Sequence, residues 1–187
     1  MLENIEEVSM NKFMEWLAVE PKRFTSVMGY AAFGALIAVS VIYVADAALI
    51  NWGIIPEPPL PQKDRHPLAF YNVLVYVDLF LWGPIREEVL HRIVPLAFLT
   101  AFISRSPRMV FGLNALLAAF FGAIHPYGLD NKVVIAIGGF FFGLVFLKCG
   151  ALSKSYIKAS VAAVFCHGFT NFLLTMQEVF EYYELTS

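Results

Sequence analysis

Along this chain the polar residues gather at a few places, and long apolar runs fill the rest. Phe24 to Ala45 carries no charge and is about as long as a helix that crosses a bilayer. Lys22 and Arg23 precede it, and Asp46 is expected to close it near the interface. Ala45-Asp46-Ala47 resembles a signal cleavage site, but the apolar run before it is longer than an h-region. It reads as an uncleaved first span. Three later runs, at about 108–125, 132–149 and 155–177, have similar length and character. The run at 132–149 contains Gly138, Gly139 and Gly143, small residues that let helices approach closely in lipid.

The ends differ. Met10, Phe13, Met14 and Leu17 fall at i, i+3, i+4 and i+7, with Trp16 nearby. Residues 1–23 therefore predict a short amphipathic helix, lying on the membrane surface or packed against a partner. Residues 51–67 form a Pro-rich loop, and 178–187 an acidic tail.

The remaining segment, about 67–103, is apolar on both flanks and charged in the middle. Gly83-Pro84-Ile85-Arg86-Glu87-Glu88-Val89-Leu90-His91-Arg92 places five ionisable side chains within seven residues. Pro84 removes the donor that the Phe80 carbonyl would use, which predicts a kink just before the acids. This segment is either one long helix or two spans turning at Gly83-Pro84. With one helix, Lys12, Lys22, Arg23, Arg105, Arg108, Lys148, Lys154 and Lys158 share one side. Only Lys63, Arg65 and Lys132 then fall on the other. Splitting the segment destroys that bias, so the positive-inside rule selects one long helix and a cytoplasmic N-terminus.

The expected architecture is an all-α polytopic bundle of about five spans with a kinked, long second helix. It divides into an interfacial segment 1–23, one transmembrane domain 24–177 and the tail 178–187. Composition agrees: 59% of residues are hydrophobic and 15% charged, too apolar for an ordinary soluble domain. A net charge of -2 with no basic tract gives nucleic-acid binding no support. Cys149 and Cys166 lie in apolar runs without a CxxC pattern and read as small buried hydrophobes.

Charges inside a membrane segment are expensive and mark function by default. On a helix Glu88 and Arg92 are i,i+4 neighbours, as are Glu87 and His91. A structural ion pair would explain one Glu and one Arg, but not two adjacent carboxylates, a His and two further His motifs. These are Phe121-Gly-Ala-Ile-His125 and His167-Gly-Phe-Thr-Asn171, the latter with His and Asn one turn apart. Counted at 1.5 Å per residue from the basic ends, Glu87, His125 and His167 lie at roughly 27, 26 and 20 Å. Polar groups at similar depth on three helices imply a shared cavity.

Glu87-Glu88-x-x-x-Arg92, Phe121-x-x-x-His125 and His167-x-x-x-Asn171, in that order over about residues 80–175, resemble the three motifs of the CPBP (Abi) family. That family comprises CAAX proteases and bacteriocin-processing enzymes. His91-Arg92-Ile93 stands where members often have Phe-Arg-Gly, and the short N-terminal region does not reproduce the larger eukaryotic CAAX prenyl endopeptidase.

The resemblance implies an intramembrane endopeptidase acting on a membrane-associated protein or peptide within a prokaryotic cell membrane. It implies Glu87 as the base activating a water, Glu88 paired with Arg92, and His125 positioning the water. His167 and Asn171 would donate to the oxyanion. Glu87, His125 and His167 are also a conceivable zinc set, but no HExxH is present and the expectation is no cofactor. The alternatives are a non-catalytic scaffold or bacteriocin-immunity-type protein of the same family, and a proton-linked transporter using Asp78, Glu87 and the histidines.

Overall fold

Lipid-facing helices keep apolar side chains outside, and this chain does so in a computed structural model that describes residues 2–55, 73–103, 105–126 and 128–186. Phe33, Phe102 and Leu116 are 61%, 78% and 69% exposed. Every regular element among the described residues is helical. We label them α1 (Leu2–Ala18), α2 (Phe24–Asn51), α3 (73–103), α4 (Pro107–Ile124), α5 (Leu129–Phe146) and α6 (Tyr156–Thr186). A π-turn, Leu147–Ala151, extends α5.

Among the described residues, four helical stretches are long and apolar enough to cross a membrane: Phe24–Asn51, Pro107–Ile124, Asn131–Ala151 and Tyr156–Glu184. The sequence suggested about five. The fifth candidate is α3, which is continuous over 73–103 but carries Arg86, Glu87 and Glu88 in its middle.

Two boundaries fall later than expected. Asp46 does not close α2, because it sits among good helix formers and the helix runs on to Asn51. Gly53 ends it at φ +66, with the Ile54 N–H donating to the Leu49 carbonyl, a glycine C-cap. At the other end α6 is helical to Thr186, so the acidic residues of 178–187 stand on a helical extension. The Pro-rich segment lies largely outside the described residues.

α3 answers its prolines by widening rather than breaking. Its α-helical turns alternate with π-turns at Asp78–Trp82, Val89–Ile93 and Leu99–Ile103. Just before Pro84, the Gly83 N–H donates to the carbonyl of Asp78, five residues back. Just before Pro95, the Val94 N–H does the same to Val89. The expected kink site is therefore a π-turn, the usual helical accommodation of a missing donor.

The bundle is held by small residues. Ala31, Ala35 and Ala38 of α2 pack with Phe142 and Val145 of α5, Cys149 of the π-turn that extends it, and Ala162 and Cys166 of α6. A Cβ at Gly34 would meet Val145 Cγ2 at 2.5 Å, which is the close approach small residues permit.

α1 packs on the bundle of its own chain. Met14 and Leu17 are buried, Leu17 beside Leu96 and Leu99 of α3 and Phe146 of α5. Lys148 donates to the carbonyls of Trp16 and Val19 and lies over the Trp16 ring, 4.5 Å from its centroid. Arg108 donates to Asn11, and Lys158 pairs with Glu20. The basic residues of three helices thus meet α1 and the residues that follow it at one end of the bundle.

Candidate active site

The residues with chemistry lie away from α1, from the middle of the bundle to the far end of α4. His125 is the C-cap of α4, with φ -71 and ψ 136. Pro126 disfavours helical backbone at the residue before it, so α4 stops there. Glu87 lies on the α-helical turn Gly83–Glu88, between the first two π-turns of α3. His167 and Asn171 lie mid-way along α6.

One cavity of about 200 Å³ is lined by Glu87, His125, His167 and Asn171, with Thr170, Phe121 and Phe142 and apolar residues of α2, α5 and α6. Four sequence-selected residues on three helices therefore share one space. Glu88 and Arg92 do not line it. They form an ion pair beneath it, and both side chains are fully buried.

The two groups are joined through His167. Its Nδ1 lies 2.8 Å from Glu88 Oε1, and its Nε2 lies 3.7 Å from Glu87 Oε2. Glu88 also accepts from Arg92, which is always charged, so Glu88 acts as the carboxylate and Nδ1 as the donor. That fixes the ring: Nε2 faces Glu87 and the cavity. The His125 ring is anchored by Nδ1, 2.7 Å from the carbonyl of Phe121.

Aromatic rings complete the frame. The Arg92 guanidinium lies 4.5 Å from the Phe121 centroid and 5.5 Å from that of Phe142, contacts that replace part of its lost hydration. Gly139 opposes it, where a Cβ would overlap Nη2. Phe142 also stacks on His167, with centroids 4.4 Å apart and planes 18° apart. The motif pattern did not reveal Phe142, because it is one of three consecutive phenylalanines on an apolar span. Gly139 belonged to the glycines read for helix contact, and the contact it makes is with this arginine. His91 stands at 5.2 Å from the Phe121 ring and fills the aromatic position by packing.

Among the described residues no three His, Cys, Asp or Glu side chains group closely enough to hold a metal ion.

Residues 69–173 match the family described as type II CAAX prenyl endopeptidase Rce1-like. That is more than half of the chain and includes Glu87, Glu88, Arg92, His125, His167 and Asn171. The chain belongs to this family. It is the CPBP grouping that the three motifs resemble. No curated protein and no solved structure matches. With its apolar helices, the family makes this an integral membrane protein of a CAAX-type protease family.

Proposed function

We propose that this protein is an intramembrane endopeptidase that cleaves a membrane-associated protein or peptide with a water activated by Glu87, without a metal. The observation that carries the reading is the single cavity lined by Glu87, His125, His167 and Asn171 above a buried Glu88–Arg92 pair.

In the proposed reaction Glu87 takes a proton from a water held beside His125, and the resulting hydroxide attacks the peptide carbonyl carbon. The oxyanion accepts from the Asn171 amide and from His167 Nε2. Because Nδ1–H is given to Glu88, Nε2 can donate only while the ring carries both protons. Carboxylates lie on either side of the ring, Glu88 at 2.8 Å and Glu87 at 3.7 Å. As the tetrahedral intermediate collapses, the C–N bond breaks. Glu87 returns its proton to the leaving nitrogen, releasing an amine and a carboxylic acid. Glu88 and Arg92 touch no substrate and hold His167 and α3 in place.

We further propose that the N-terminus is cytoplasmic and that the cavity opens towards the opposite side. Support comes from the basic residues gathered with α1 at one end of the bundle and from His125 at the far end of α4. The test is cleavage of a membrane-anchored reporter in proteoliposomes by wild type and Glu87→Gln. Cleavage by wild type alone is expected, and equal cleavage by both would reject Glu87 as the base.

A further inference from the structure

The π-turn before Pro84 leaves the Leu79 carbonyl without a helical partner. In an α-helix that carbonyl would accept from the Gly83 N–H, but Gly83 donates to Asp78 instead. A π-type bond would come from residue 84, which is proline and has no N–H. An unpaired carbonyl at this depth in a membrane protein is costly.

α6 supplies the missing donor. The Asn171 side-chain N–H donates to the Leu79 carbonyl at 2.9 Å. One turn earlier, Gly168 lies against the Phe80 carbonyl, and a Cβ there would overlap the oxygen. Pro84 denies that carbonyl its usual α-helical donor as well. Gly83 makes the wide turn possible, since a Cβ at this position would stand 2.8 Å from the Asp78 carbonyl. Four residues on two helices thus fit one irregular turn.

The consequence reaches Glu87. A π-turn accommodates one extra residue and so rotates the downstream part of the helix by roughly 100° relative to a continuous α-helix. Four residues separate the end of this turn, Trp82, from Glu87. Whether Arg86, Glu87 or Glu88 faces α6 depends on the turn being held.

We propose that Gly168 and Asn171 are positioning residues: together they lock the Asp78–Trp82 π-turn and fix the rotation at which Glu87 enters the cavity. Asn171 has two N–H groups, so clamping Leu79 leaves one for the oxyanion. This proposal rests on the protease reading for its catalytic consequence but not for the clamp itself.

Gly168 lines the apolar groove between α3 and α6 rather than the cavity, so Gly168→Ala leaves every cavity side chain intact. In folded protein we expect it to lower kcat on the order of 100-fold, as a displacement of about 1 Å does, with KM nearly unchanged. Folded Gly168→Ala cleaving at the wild-type rate would overturn the proposal.

A second measurement needs no activity. Asn171→Leu should lower the unfolding temperature on the order of 5 °C by orphaning Leu79. In a Pro84→Ala background the loss should shrink, because residue 84 then has an N–H to give. An equal loss in both backgrounds overturns the clamp. If Asn171→Leu fails to accumulate, recovery in the double variant supports the clamp and no recovery overturns it. Coupling between 84 and 171 in a wild type that cleaves nothing would retain the clamp and reject the protease.

Discussion

Replacing Arg92 with alanine should cost more stability than any other single change at the site. Both partners of its ion pair are fully buried, and Glu88 Oε2 has no partner among the described residues. Removing the guanidinium leaves a buried carboxylate held by His167 alone. Breaking a buried pair in this way costs about 3–5 kcal/mol. Two cation–π contacts, to Phe121 and Phe142, are lost as well, each about 0.5–2 kcal/mol. The cost of burying the pair is recovered in part, so a net loss of about 4 kcal/mol is the expected outcome. For a chain of this size that corresponds to roughly 8–16 °C in unfolding temperature, read by thermal unfolding in detergent. Glu87→Gln is the control. It is nearly isosteric, and its side chain is 39% exposed towards the cavity, so it should shift stability by no more than about 0.5 kcal/mol. Equal unfolding temperatures for Arg92→Ala and Glu87→Gln would refute this division of roles.

The same geometry bears on other positions. Phe142→Leu removes the ring stacked on His167, worth about 0.5–1.5 kcal/mol, and should lower kcat about 2–10-fold while KM holds, as measured by reporter cleavage. Gly139→Ala drives a Cβ into Arg92 and should destabilise by about 1–3 kcal/mol. Gly138→Ala, whose nearest neighbour is the Phe142 ring at 3.2 Å, should cost clearly less in the same thermal assay. Ser106→Cys and Gly128→Cys, at opposite ends of α4, should react with an impermeant thiol reagent from opposite sides of the membrane. Labelling from the same side would contradict the topology.

The parts of this molecule legible in the sequence are those that depend on one helix at a time. Uncharged runs located the spans, and the fixed rise per residue put Glu87, His125 and His167 at one depth, where a single cavity now joins them. Charge bias selected a continuous α3. The features hidden from the sequence depend on how two elements meet. Pro84 signalled an irregularity, but whether the helix kinks or widens is settled by α6, whose Asn171 reaches the Leu79 carbonyl. Phe142 is indistinguishable from Phe140 and Phe141 until His167 is laid against it. The amphipathic face of α1 suited a lipid surface or a protein, and which part of the bundle it meets shows only in the fold, where Lys148 reaches the Trp16 and Val19 carbonyls. Asp46 closes the uncharged run, but the backbone of α2 is stopped only at Gly53.

The central claim is metal-free peptide hydrolysis driven by Glu87. Its most direct test reconstitutes wild type and Glu87→Gln in vesicles carrying a mixed set of membrane proteins and identifies new peptide termini by mass spectrometry, with and without a strong chelator. New termini with wild type, unchanged by the chelator and absent with Glu87→Gln, are predicted. Identical termini from both proteins, or termini that vanish on chelation and return with zinc, would contradict the account.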